Sequence, residues 1–349
     1  MSNPPRNRPS AAALRIAVPL VVILLVSAAY VIFWRGGRQP LVVYCAHDAV
    51  YSQKILDQFQ QRTGIPLAVK FDTEATKSLG LVELLLSEKD APRCDVFWNN
   101  EVLGTMDLAA RGVLDAYKGP GYERIPAAFR DPDGRWAGFG ARLRVYIINT
   151  DKLQPTPEAV EQALSGDLSR VAVSQPIFGT TLTHYSVLWH LWGGDRLKAW
   201  RADWLRRGVR ELAGNAQVKN LVAEGVCDLG WTDTDDYFEA LDQGKRVAAL
   251  PVRVEGGRTI CIPNTAAVVR GARRQEEARR LVDYLLSAEV ETALANSDAR
   301  QVPLGSVDEA ALPAPVKELA QWARDGIGLS DLGPSRDACL AWLKQENAR

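Results

Sequence analysis

The stretch LVVYCAHDAVYSQKILDQFQQRTGIPLAVKF, Leu41 to Phe71, decides the fold class. Leu41 to Cys45 is a short apolar run that suits a strand. Ala49 to Arg62 then repeats apolar positions at helical spacing until Gly64 and Pro66 stop it, and Leu67 to Phe71 reads as a second strand. Downstream, a helix over Lys77 to Glu88 leads into a strand at Asp95 to Trp98. Such βαβαβ order implies a parallel sheet with right-handed crossovers, whose ligands bind beyond the carboxyl ends of the strands.

The same order returns further along. Val171 to Ser174 is strand-like, Thr181 to Trp192, Leu197 to Arg207 and Gln217 to Ala223 are helical, and Asp228 to Trp231 is a strand leading into a helix through Leu241. Two similar units predict an α/β fold of two lobes, each a mostly parallel sheet flanked by helices. Phe139 to Asn149, an apolar run with Arg142 and Arg144 in alternation, suits a strand crossing between lobes. Val247 to Val254 would cross back, and Thr259 to Val269 with the helix Glu276 to Leu286 would complete the first lobe. The expected boundaries are 41–145 plus 255–349 for lobe 1 and 146–254 for lobe 2. The tail beyond Gly305, with helices at Pro315 to Arg324 and Asp337 to Lys344, is expected to pack across lobe 1.

On the other side of the opening stretch, residues 1–15 form a basic leader with Arg6, Arg8 and Arg15 and no acid. Residues 16–34 carry no charge, and at about 1.5 Å per residue a helix there reaches about 28 Å, close to the hydrocarbon thickness of a bilayer. The basic leader would stay in the cytoplasm and everything after Trp34 would be exported, although Arg35 and Arg38 weaken that bias. Val26-Ser27-Ala28 also fits a signal-peptide cleavage site, but the apolar residues Val31, Ile32 and Phe33 continue past it and favour an uncleaved anchor. In the linker 35–40, Gly36 to Pro40 reach roughly 17 Å at most, so an uncleaved protein would work next to the membrane.

Composition narrows the function. The 349 residues exceed what one core usually organises, and 42 basic against 42 acidic residues leave no overall field for nucleic acid, so electrostatic recognition must be local. Three histidines disfavour a histidine-rich metal site. The five cysteines fit no paired zinc spacing, and Cys45 and Cys94 fall about 13 Å apart along parallel strands, too far to bridge, so buried free thiols are expected.

The strand-end loops hold the polar residues that could meet a ligand. They are Ala46, His47 and Asp48; Asp72, Thr73 and Glu74; Asn99, Asn100 and Glu101; Phe178-Gly179-Thr180-Thr181; Gly214-Asn215; and Thr232-Asp233-Thr234-Asp235-Asp236. FGTT at a helix start offers N–H groups and hydroxyls to an anion, or merely an N-cap. Arg142 and Arg144 would add to an anion site if their side chains turn into the cleft; a solvated strand face is the alternative. Asp233, Asp235 and Asp236 repel one another, a cost that a cation would relieve, though the run also suits the capping of a helix at Tyr237 to Leu241. His47 could share a metal with Glu74 or simply bond at a strand end. His184 and His190, six apart, cannot share a helix face and read as packing or surface residues. Trp98 and Trp231 close their strands at the cleft, where they are core or a sandwich for an organic cation. Enzyme signatures are missing except Asp233-Thr234-Asp235, which is like the D-x-D loops of metal-dependent transferases.

VVYCAHD, QRTGIPL, CDVFWNNEVLGTMDLAARGVLDAY, ARLRVYIINT, FGTT, TDTDD and IPNTAAVVRGA, from Leu41 to about Leu304, together resemble the extracellular solute-binding proteins of ABC importers, most of all the iron(III)-type branch. The resemblance implies a type II periplasmic binding protein, a monomer and not an enzyme, that closes on its ligand and delivers it to a membrane permease driven by a cytoplasmic ATPase. In that branch a histidine, a glutamate and two adjacent tyrosines hold the metal while an arginine and a helix start hold an anion. His47, Glu74, Arg142 and Gly179 to Thr181 fall at matching places. The tyrosine pair is replaced by Thr234-Asp235, with Tyr237 close by. The metal set implied is therefore His47, Glu74, Asp235, Asp236 and Tyr237, with Asn99, Asn100, Arg142, Arg144, Gly179, Thr180, Thr181, Asn215, Trp231, Thr232, Asp233 and Thr234 lining the cleft around a ferric or other hard ion. An organic cation of polyamine type held by Asp235 and Trp231 is the alternative. A membrane-anchored metal-dependent transferase or hydrolase and a ligand-sensing domain come after it.

Overall fold

The structure is a computed structural model and describes residues 39–72 and 79–347. The basic leader, the apolar run 16–34 and Glu74 lie outside those residues. Among the described residues no helix is long and apolar enough to cross a membrane.

The first unit begins β1 (Leu41–Cys45), α1 (Ala49–Thr63), β2 (Leu67–Phe71), α2 (Leu79–Ser87), β3 (Val96–Asn99), α3 (Leu103–Ala110), β4 (Leu114–Asp115) and α4 (Pro120–Arg124). Strand β1 lies between β2 and β3, parallel to both. Its residues are almost all buried, which is why they read as a continuous apolar run rather than an alternating one. Cys45 pairs with Trp98 in register while Cys94 lies near the other end of β1, and all five cysteines are free and buried.

Strand β5 (Ala137–Asn149) then joins the two halves. The second unit continues with α5 (Pro157–Ser165), β6 (Val171–Ser174), α6 (Gly179–Trp192), α7 (Gly194–Arg206), β7 (Arg210–Leu212), α8 (Asn215–Ala223), β8 (Leu229–Asp233), α9 (Thr234–Asp242) and β9 (Val247–Pro251). Strands β7, β6 and β8 are parallel. The chain closes with β10 (Cys261–Val269), α10 (Gln275–Leu285), α11 (Ala288–Ala295), α12 (Ala314–Arg324) and α13 (Gly333–Asn347).

One path of strands, β2-β1-β3-β10-β5-β8-β6-β7, runs through both halves. The first part of β5 pairs antiparallel with β10, and from Arg144 onward it pairs antiparallel with β8 and β9. Each half is thus a parallel triplet completed by antiparallel strands, less uniformly parallel than the sequence suggested. The carboxyl ends of β1, β3, β6 and β8 converge on the middle of β5.

The tail departs from expectation. Leu319 of α12 packs with Leu143, Val145 and Phe238. Helix α13 does not simply cross the first unit: Trp342 meets Trp189 of α6 with ring centres 5.7 Å apart, and Glu346 pairs with Arg201 of α7 at 2.6 Å. At its start, Arg336 lies 3.5 Å from Asp107 of α3, so α13 touches both halves. The apolar residues of α13 found their largest partner in the tryptophan-rich α6–α7 pair, which local periodicity does not reveal.

Candidate functional site

Where the strand ends converge lies a cleft of about 740 Å³. One wall carries Asp48, Val50 and Tyr51 from the start of α1, with Asn100 after β3. The other carries Gly179, Thr180 and Thr181 at the start of α6, Gly214 and Asn215 at the start of α8, and Asp233, Asp235, Asp236 and Glu239 at the β8–α9 junction. Arg142 reaches in from β5.

Asp233 ends β8 directly opposite Arg144 of β5. Arg144 is fully buried and donates through Nη1 to Asp233 Oδ1 at 2.7 Å, while Thr180 Oγ1 and Asn215 Nδ2 donate to Oδ2 at 2.6 and 3.0 Å. This carboxylate is therefore neutralised and saturated, and it serves to clamp the starts of α6 and α8 to β8. Gly179 permits the first turn of α6 with φ +58°, a left-handed conformation that an L side chain takes only with strain.

Asp235 and Asp236 are differently placed. Helix α9 starts at Thr234, not at Tyr237, which puts both carboxylates in its first turn where the helix dipole favours them. Oxygens of Asp233, Asp235 and Asp236 all lie within 4.8 Å of one another. Thr232 Oγ1 donates to Asp236 Oδ2 at 2.6 Å. Burial, then the charges of Asp235 and Asp233, push the Asp236 carboxyl up to about 7. Arg142 Nε stands 3.7 Å from Asp233 and 3.8 Å from Asp235, and its Nη2 donates to Asn100 O at 2.6 Å. Burial opposes the Arg142 charge, but Asp235 and Asp233 outweigh it and raise its pKa. Across the cleft, burial first and Asp235 next push the Tyr51 phenol up to about 12. Glu239 is paired with buried Lys219 at 2.6 Å. Among the described residues, Asp48, Asp233, Asp235, Asp236 and Glu239 line the cavity with Arg142, while Arg144 and Lys219 pair with Asp233 and Glu239.

Several expected site residues sit elsewhere. His47 is buried behind Asp48 and does not line the cavity. Asn264 donates to Gln301 Oε1 at 2.8 Å, which fixes the amide so that Gln301 Nε2 donates to His47 Nε2 at 2.9 Å. The ring proton is thereby assigned to Nδ1, 3.4 Å from Asp48 O, so both nitrogens are engaged within the first unit. Tyr237, one helical step past Asp236, packs against Phe238 instead, with ring centres 5.0 Å apart. Trp231 lies in an aromatic core, stacked 5.7 Å from Trp200 and 4.5 Å from His184, and Trp98 packs on Phe139 and His47. The two tryptophans therefore form no sandwich. Burial, then the nearby Arg144 charge, hold the His184 imidazole well below its usual range. Thr234 accepts from Leu143 N, and Asn99 bonds to Glu101 and Thr105 beneath the wall. Both arginines of β5 are buried, neither on a solvated face.

Tyr51, Ser174 and Glu239 line the cavity without having been anticipated. Glu239 had a readable signal, since it stands three and four residues from Asp236 and Asp235 on one helical face. Tyr51, one turn into α1, had none beyond its nearness to Asp48.

A polar cleft between two like α/β units that share strand β5 is the architecture of a two-lobed solute-binding protein. The chain belongs to the family described as bacterial extracellular solute-binding protein, whose profile matches residues 41–297. Among curated relatives, iron uptake protein A1 of Synechocystis sp. is 24% identical over 315 residues, 86% of this chain and 85% of that one. The major ferric iron-binding protein of Neisseria meningitidis is 24% identical over 274 residues, 73% of this chain and 78% of its own. Iron-bound HitA from Pseudomonas aeruginosa superposes with a TM-score of 0.75 at 20% identity, covering 88% of this chain and 98% of HitA. AfuA from Actinobacillus pleuropneumoniae, with fructose-6-phosphate bound, gives 0.69 at 17%, covering 89% and 99%.

Proposed function

We propose that this protein is the solute-binding component of an ABC-type importer, capturing ferric ion or another hard metal cation with an accompanying anion and delivering it to a membrane permease and its ATPase. The observation that carries the metal reading is the convergence of Asp233, Asp235 and Asp236, whose carboxylate oxygens lie within 4.8 Å of one another at the cleft. Oxygen donors of this kind suit hard cations. The names of the iron-binding relatives support it from a separate direction. In this reading Asp235 and Asp236 are the cation donors, with Asp48 facing them. The starts of α6 and α8 with Arg142 receive the anion. Residues 41–145 plus 255–349 and 146–254 act as the two lobes. The protein works outside the cytoplasmic membrane as a monomer, held there by residues 16–34, and turns over no substrate.

Elemental analysis after native purification, joined to calorimetric titration with ferric citrate, Mn²⁺, Ca²⁺ and spermidine, tests it. A stoichiometric metal that is lost in Asp235→Asn and Asp236→Asn is expected. Saturation by spermidine with no response to any metal would sink the metal reading.

A further inference from the structure

We propose that the face where the chain enters β1 is a docking surface for anionic lipid, formed by Lys89, Arg93, Arg270 and Arg273. Two loops build it, 88–95 before β3 and 270–274 after β10. One buried carboxylate ties both to the entry point: Asp95 Oδ2 accepts from Val42 N at 2.9 Å and Oδ1 accepts from Arg273 N at 2.8 Å. Arg270 N donates to Val113 O at 2.8 Å, and Lys89, Arg93 and Arg270 border one shallow depression.

All four cations are exposed. None of them makes an ion pair with a described residue, a state they share with exposed Lys118, Arg210 and Arg258 elsewhere; what sets them apart is that they stand together at one face. With Arg274, five basic residues on these two loops stand against the acids Glu88, Asp90 and Asp95, a local charge of +2 in a chain of zero net charge.

The sequence supplies the occupant. Residues 16–34 are uncharged, and Gly36 to Pro40 span roughly 17 Å at most before Leu41. If that run lies in a bilayer, the side chains of the fold nearest the headgroups are those around Leu41, and only charges within about 10 Å of the surface escape salt screening. Because the cleft opens at the opposite ends of β1 and β3, the same contact would hold its mouth away from the lipid. The proposal rests on the anchor reading for its motive, but the two separate experimentally.

The full chain is mixed with vesicles of phosphatidylcholine alone or with about one-third phosphatidylglycerol, and both flotation and amide exchange are followed. Flotation with both vesicle types, with exchange at 88–95 and 270–274 slowed severalfold only on the anionic ones and restored by high salt, is expected. Arg270→Gln with Arg273→Gln should remove that protection, each lost cation weakening surface attachment about five-fold, with melting unchanged. Flotation on anionic vesicles alone, at low salt, would support the surface and remove the anchor. Equal exchange on both vesicle types, or flotation with neither, overturns the proposal.

Discussion

Asp236 sits beside Asp235 and three residues from Asp233, yet the three carboxylates have different fates. Arg144 neutralises Asp233, Arg142 stands near Asp235, and Asp236 retains a hydroxyl donor with Lys219 only in the background. Its folded pKa of about 7 lies above the ordinary aspartate value near 4. The sign follows: protonated Asp236 favours the fold, a contribution complete below about pH 4 and withdrawn as the pH rises through about 7. Asp236→Asn should therefore flatten the fall in melting temperature of the metal-free protein between pH 5 and 8, raising it at pH 8 by about 1 to 2 °C for each kcal/mol of repulsion removed. Calorimetry across that range checks it, and a variant that melts lower than the parent at pH 8 refutes it. A metal bound at this carboxylate must displace its proton, so affinity should also weaken below about pH 7.

Elements bring these residues to one place, and element type was more legible than element ends. Leu41 to Cys45, Leu67 to Phe71 and Val171 to Ser174 form strands at the expected residues because short runs rich in apolar and β-branched residues between turn residues leave little choice. Helix α9 was expected to begin after its acids and in fact begins before them. Asp233 occupies its cap position in extended conformation but caps nothing, because Arg144, Thr180 and Asn215 hold its carboxylate. That competition is tertiary and invisible to local pattern, as is the bond from Gln301 that occupies His47 across 254 residues of sequence. Gly230 governs how closely α8 approaches β8. A Cβ there would stand 2.5 Å from Val218 Cγ1 and 3.0 Å from Ala172 O. Gly230→Ala should cost about 1–3 kcal/mol by overpacking and push α8 outward, moving Asn215 from Asp233. Chemical denaturation together with metal titration tests this. Unchanged stability would mean the helix has room to shift that the packing denies.

At the scale of the molecule, the two-lobe division was readable from the repeated strand–helix order and the crossing run at Phe139 to Asn149. The straddling of both halves by α13 was not, since it depends on Trp342 finding Trp189. That helix sets a condition on the closure that the proposed function requires. Any rotation of the halves about β5 must be absorbed at one of its two contacts. Against α6 and α7 it has Trp342 on Trp189 and Glu346 on Arg201, beside the buried Cys339 and Leu343. Against α3 it has Arg336 at 3.5 Å from Asp107, next to a cavity of about 240 Å³ lined by Leu103, Met106 and Pro334. The second contact is the one that should give. Ligand binding selects the closed form only through contacts that the open form lacks, and apparent affinity scales with the fraction of molecules able to close. Arg336→Ala should therefore change the metal affinity severalfold and alter the radius of gyration of the metal-free protein in X-ray scattering, although the side chain lines no part of the cleft. Arg201→Ala, which strands Glu211 and Glu346 at the firm contact, should lower the melting temperature instead. If Arg336→Ala leaves both scattering and affinity as they were, α13 moves as a passenger of the second unit and the seam with α3 has no part in closure.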